Sequence, residues 1–406
     1  MLALFAAFAG CAEHEQVWGI PRETFSQRLE GGDYDFLRHL DYRDLDLEEV
    51  TRLRPGAAYY LSRVYGELGL DSMRAEMLEV ELEEGSEPWR RMAADDLVSL
   101  LGAEERYDEL LQAAERALEL YPGEPAYVFA RYSALYEQKE DDRLLSAITE
   151  DDGDLRPFLE RGAFDTRRRE VELWRVVALY RLDEDGWDDA VRRFFIDFPA
   201  GPEHSRLYVF LIARSAAQEP FTGAELSLFS AKARVSEGEL AEAARTFLQL
   251  AEEADPGRGP AGAEVTPWLV RDMGRAFLSA GFWTRGIEIL GEYAAAGASD
   301  ALRARAAEYR GRMYRAAGNT AAAAAELESA FELESGVAGK RRMLWHLTDA
   351  RMAYDPAAAV DDLSRGGDGL LDEAYFSRLL DRLASQIVQD GAWAELERAG
   401  RLLEDA

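Results

Sequence analysis

One cysteine, at position 11, is all the sequence has, so no disulfide can form within the chain. Its four histidines, at 14, 39, 204 and 346, have no partner one helical turn away, and without a cysteine pair no zinc-ligand spacing exists. Neither GxGxxG nor GxxxxGKS/T occurs, which removes the loops that cradle nucleotide phosphates. No GxSxG elbow presents a serine. No cofactor, metal or catalytic residue is therefore expected. Basic residues are scarce, 47 against 78 acidic, for a net charge of −31, which excludes nucleic acid as a partner and repels anionic lipid headgroups. Long Gly/Ser linkers are missing too, and with apolar residues at 48% of 406 the chain reads as one continuous object.

What is present is helix, in pairs. Ala301–Glu334 shows the unit most clearly: two runs of helix formers flank Gly318-Asn319, where glycine takes a left-handed turn and Asn or Thr caps the next helix. Gly311, Tyr314, Gly318, Ala323, Leu327 and Ala330 fall at the small and aromatic positions of a helical hairpin. On these residues the stretch resembles the tetratricopeptide repeat. That resemblance implies an all-α fold, a right-handed α-solenoid of about nine hairpins, and a role in binding a protein or peptide. Further hairpins follow at a spacing close to 34 residues: Tyr59–Gly85 turning at Gly69, Trp89–Tyr121, Ala126–Glu150, Arg167–Phe198, Leu226–Ala254 across Gly238, and Trp268–Ala296. Thr222-Gly-Ala-Glu225 has the form of a capping box, and Thr266-Pro267 that of an N-cap followed by proline at the first helical position. Between Gly201 and Pro220 one helix lacks a clear partner. Past Glu334 the repeat degrades into Arg341–Tyr354, Pro356–Ser364 and a terminal pair, Asp372–Asp390 with Trp393–Leu403. The expected division is 1–11 as a signal peptide, 12–56 as tether and adapter helices, 57–263 as a first solenoid segment and 264–406 as a second.

The start, MLALFAAFAGC, is too short an apolar run to span a bilayer, which needs about 20 residues, but it has the length of a signal-peptide core. Phe8-Ala9-Gly10-Cys11 resembles a bacterial lipobox, with Phe where Leu is usual and no basic residue ahead of the run. The resemblance implies lipidation of Cys11 and a periplasmic location, with the membrane touched only through the anchor. Ala12, in place of an inner-membrane retention aspartate, points to the outer membrane. The other reading is a buried N-terminal helix with a core cysteine. Lys340–Ala406, through Arg342-Met-Leu-Trp345, Tyr354-Asp-Pro356, Asp372–Phe376 and Gly391-Ala-Trp393, is similar to the non-catalytic superhelical region of soluble lytic transglycosylases. This implies a place near peptidoglycan, as a module associated with glycan or with an enzyme. The catalytic domain of those enzymes has no counterpart: Glu334-Ser335-Gly336-Val337 lacks the aromatic residue of its Glu-Ser-x-Phe motif.

Two candidate surfaces remain. Residues 1–150 hold 33 acidic and 15 basic residues, and Glu76, Glu79, Glu81, Glu83, Glu84 and Glu87 fall within twelve positions. They form either a solvated helix face or a docking surface for a basic partner. Trp174, Trp268, Trp283, Trp345 and Trp393 fit the core or the contacts between repeats. Arg167-Arg168-Arg169 and Arg341-Arg342 are the densest basic clusters, and in so acidic a chain they fit intramolecular pairing.

Overall fold

Left-handed backbone appears where the sequence offers glycine between two helical runs: Gly238 has φ of 86° and Gly318 of 84°, conformations that an L side chain adopts only with strain. In the computed structural model the described residues are 16–17, 20–21, 56–150, 166–214, 220–254, 258–297, 299–366, 377–378, 381–382 and 384–385. Cys11, the adapter helices expected in 12–56 and nearly all of the terminal pair, Trp393 included, lie outside them. The chain divides into two compact units, Met1–Glu184 and Asp185–Ala406.

The first unit is built from α1 (Ala57–Glu67) and α2 (Asp71–Glu84), α3 (Trp89–Ala103) and α4 (Tyr107–Leu120), α5 (Pro125–Glu137) and α6 (Asp141–Glu150), and a further helix, α7 (Thr166–Arg181). Alanines let neighbours approach: Ala113, Ala114 and Ala117 of α4 are buried in a core that runs from Leu78 and Leu82 of α2 through Leu97 and Leu101 to Tyr127, Tyr132 and Trp174. Each fully buried leucine or aromatic there contributes about 1.5–3 kcal/mol. The Trp174 indole packs on Phe129 and Tyr136, with ring centroids 5.0 and 5.7 Å away, the inter-repeat role expected of it.

The second unit holds α8 (Trp187–Asp197), α9 (Pro202–Arg214), then the hairpins α10 (Gly223–Glu237) with α11 (Leu240–Glu253), α12 (Pro267–Ala280) with α13 (Trp283–Ala296), α14 (Asp300–Ala316) with α15 (Thr320–Leu333), and α16 (Val337–Met352) with α17 (Pro356–Gly366). The expected capping box is formed in full: the Thr222 hydroxyl accepts from the Glu225 amide at 3.2 Å, and the Glu225 carboxylate accepts from the Thr222 amide at 2.7 Å. Thr266 caps α12 through the Leu269 amide, and Asn319 caps α15 through the Ala322 amide. The fold is an all-α solenoid of two-helix repeats. Among the described residues the other regular structure is a 3₁₀ turn at Pro260–Gly262 and a two-residue antiparallel ladder, β1 (Gln16–Val17) with β2 (Ile20–Pro21), in the stretch read as tether.

The repeat period is visible in the polar contacts. Arg63 pairs with Asp96, Arg91 with Glu124 and Arg116 with Glu83 in the first unit; Arg192 pairs with Glu225, Arg285 with Glu252 and Arg342 with Glu308 in the second. Every one joins positions 33 or 34 residues apart, about one repeat. The boundary expected at 263/264 falls inside the second unit, and side chains tie the chain across it: the Thr266 hydroxyl donates to the Ile196 carbonyl at 2.7 Å, and Asp272 holds Lys232.

Candidate functional site

Of the six glutamates of the acidic stretch, five stay at the surface and one does not. Glu81 is 2% exposed. Its carboxylate turns to the start of α1, where no side chain caps the helix, and accepts the Tyr59 amide at 3.3 Å. Burial raises its pKa, against hydrogen bonds from the amides of Tyr59, Gly56 and Ala58. Glu81 therefore satisfies helix-end donors from a neighbouring helix and is removed from the expected docking face. The reason is its position on the wheel: it lies one turn past Met77 and Leu78, on the buried side of α2. Glu76, Glu79 and Glu83 share an exposed stripe at helical spacing, Glu84 flanks it, and Glu87 lies past the helix end. Glu83 pairs with Arg116, and Glu87 accepts the Tyr121 hydroxyl. Partial burial, followed by repulsion from Glu109, raises the pKa of Glu79.

A second site, not anticipated as such, lies in the second unit on the first helices of its hairpins. α10, α12, α14 and α16 carry Lys232, Asp272, Glu308 and Arg342. Lys232 and Asp272 are fully buried, with Nζ 3.1 Å from Oδ2. Lys232 also donates to the Phe198 carbonyl at 2.6 Å, and Asp272 accepts from the Ala200 amide and from Arg271. Burial lowers the Lys232 pKa, and Asp272 pulls it back. Such a pair is retained only when the remaining donors and acceptors are satisfied, and here they hold the 198–201 loop against α10 and α12.

Around Glu308 the chemistry changes. Its carboxylate is 1% exposed and meets three guanidiniums: Arg342 in two hydrogen bonds of 2.9 and 3.2 Å, Arg305 one turn before it, and Arg312 at 3.8 Å one turn after it. Burial works against the charge, yet Arg305, Arg342 and Arg312 together hold the pKa of Glu308 below the usual carboxylate value. The Arg312 guanidinium lies over the Tyr309 ring at 4.9 Å, a cation–π contact. His346 on α16 is kept neutral: burial first, then Arg312, lowers its pKa to about 4.

The expected pairing of Arg342 is confirmed. Arg167 instead covers the Phe129 ring at 5.4 Å, and Arg169 is buried, donating to the Thr166 hydroxyl. The Glu308 cluster is not visible in any short stretch of sequence because its members are scattered over 305–342. The readable signal was a glutamate with arginines at −3, +4 and +34, one helical turn on either side and one full repeat away. Among the described residues no three His, Cys, Asp or Glu side chains converge as a metal site, and no helix is long and apolar enough to cross a membrane.

No protein-family model and no curated protein matches the sequence. Among solved structures, a tetratricopeptide repeat protein from Parabacteroides merdae is 16% identical, covering 72% of this chain and 97% of that one with a TM-score of 0.28. The TPR2AB-domain:pHSP90 complex of yeast Sti1 is 16% identical, covering 76% of this chain and 97% of that one with a TM-score of 0.21.

Proposed function

We propose that the chain is a non-catalytic scaffold that binds a protein or peptide partner, held by lipid on Cys11 to the periplasmic side of a bacterial cell envelope. The observation that carries the binding half is the row of first helices α10, α12, α14 and α16, packed in succession, with Arg275, Arg312 and Arg342 partly exposed along them and the charges of Lys232, Asp272 and Glu308 buried. A solenoid whose repeats touch only their neighbours leaves such faces available over its length. The anchoring half is supported by the Phe8-Ala9-Gly10-Cys11 motif; two acyl chains, at about 0.8 kcal/mol per buried methylene, anchor stably where one does not.

The two halves are tested separately. Metabolic labelling with a fatty-acid probe is expected to mark the wild type and not Cys11→Ala, with the variant leaving the membrane fraction; unchanged fractionation removes the anchor. A photo-crosslinking residue at position 275, on a first helix, is expected to capture envelope protein, and one at position 245, exposed on the second helix α11, is not. Equal capture at both positions, or none, removes the scaffold reading.

A further inference from the structure

The end of α8 is held by side chains from far along the chain. The last carbonyls of a helix have no partner within it, and here two of them are met by later helices: the Ile196 carbonyl accepts from the Thr266 hydroxyl at 2.7 Å, and the Phe198 carbonyl from the Lys232 ammonium at 2.6 Å. Two residues on, the Ala200 amide donates to Asp272 at 2.9 Å. The ties thus fall on residues 196, 198 and 200, the alternate positions that an extended backbone turns to one side, and Phe198 has an extended φ of −116° and ψ of 143°. The Thr266 hydroxyl also accepts from the Leu269 amide, so one atom closes the start of α12 and the end of α8. Phe198, Pro199 and Gly201 are buried. α8 meets α10 directly as well: Phe195 stacks on Phe229 with ring centroids 4.3 Å apart, and Arg192 pairs with Glu225 at 2.7 Å. The ties to α12 span 70 and 72 residues, two repeats rather than one.

We propose that residues 196–201 are a strap that joins α8, α10 and α12 into one cooperative unit, which opens as a whole rather than helix by helix. Burial supplies the all-or-none character. Lys232 and Asp272 are fully buried and bond to the strap as well as to each other, so lifting it leaves a buried ammonium without its carbonyl and a buried carboxylate without its amide. Charges so placed are tolerated only with their partners present, and a half-open state keeps the cost of burial without the bonds that offset it. Of the other charges near Lys232, Asp197 favours the ammonium and Arg271 opposes it. In a stack that touches only nearest neighbours, repeats can open singly; a strap across two repeats suppresses such openings here. The strap is independent of what the surface binds and of where the chain is anchored.

Native-state hydrogen exchange of the full chain, read by mass spectrometry, tests the coupling. Ala276 is buried on α12 and takes part in none of the ties. Ala276→Gly is expected to lower the protection of α12 about fivefold, the effect of a glycine in a helix interior, and to lower that of α8 and α10 by the same factor. In the background Lys232→Met with Asp272→Leu, which removes both charges so that neither is left buried alone, the same substitution is expected to reach α12 and no longer α8. Protection of α8 unchanged by Ala276→Gly in the wild-type background overturns the strap. An equal response of α8 in both backgrounds overturns it too, since the coupling would then belong to the general packing, and so does an equal loss in α16, since the whole second unit would then open together. Where the double variant does not fold, Thr266→Val replaces it as the untied background: the bond to the Ile196 carbonyl is lost along with the cap of α12, and α8 is again expected to respond less than α12.

Discussion

His346 shows how a single side chain is set by its neighbours. Burial and the nearby Arg312, Arg315 and Arg342 lower its pKa from 6.5 to about 4, against a smaller opposing pull from Glu308. The folded state therefore holds fewer protons than the unfolded one between these values, and stability falls as pH drops through that window. The full effect is at most about 3 kcal/mol. We expect urea unfolding of the wild type to lose stability between pH 6.5 and 5, above the range where carboxylates titrate, and His346→Gln to lose measurably less; parallel losses would refute the assignment. Glu81 acts with the opposite sign: its raised pKa means that its contribution improves as pH falls toward 4.5. Neither effect was legible in the sequence, because both depend on which helix end or which arginine the fold brings beside the side chain.

Helices meet closely where they carry no side chain. A Cβ on Gly311 would stand 2.7 Å from Leu327 Cγ and 3.0 Å from the Ala323 carbonyl, so α14 and α15 touch at the small residues that marked this hairpin. Ala323→Trp should overpack that contact and cost about 1–3 kcal/mol, read as a shift in the urea midpoint; a variant as stable as the wild type would contradict it. Gly274 makes the equivalent approach between hairpins, against Tyr309, whereas a Cβ on Gly223, at the first position of α10, meets nothing within 4 Å. Gly274→Ala is therefore expected to destabilise, and Gly223→Ala to be neutral or stabilising by up to about 1 kcal/mol. Thermal melts of the pair check the contrast, and the reverse order would show that the packing is misassigned. Gly274 falls inside the hairpin Trp268–Ala296 that the sequence marks. Its partner Tyr309 was not legible there, since the tyrosine lies one repeat later.

Within each unit, contacts among the described residues run mainly between successive helices. Leu327, Ala323 and Ala324 of α15 pack on Leu347 and Ala350 of α16, while the core of the first unit is assembled from its own helices, α1 through α7. Repeats that touch only their neighbours transmit damage poorly. Truncation after Leu333 should strip amide-exchange protection from α14 and α15 and leave α1–α6 within about 0.5 kcal/mol of the full chain. Equal loss in the first unit would mean that the chain unfolds as one body.

The sequence by itself determined the class of fold. Helix formers, left-handed glycines such as Gly318, the Thr222 and Thr266 caps and a period near 34 residues are local or nearest-neighbour properties, and local signals survive in a linear reading. It also determined the net charge and the motif at Cys11. Only the tertiary structure decided which charges are surface and which are structural. Glu81 and Glu83 are two residues apart in one acidic run, yet one is sealed against the start of α1 and the other meets Arg116 in solvent. Glu308 and Arg342 lie a full repeat apart, and stacking closes them to 2.9 Å. The energy of a charge depends on its distance to other charges and to water, and those distances are set by how the repeats stack.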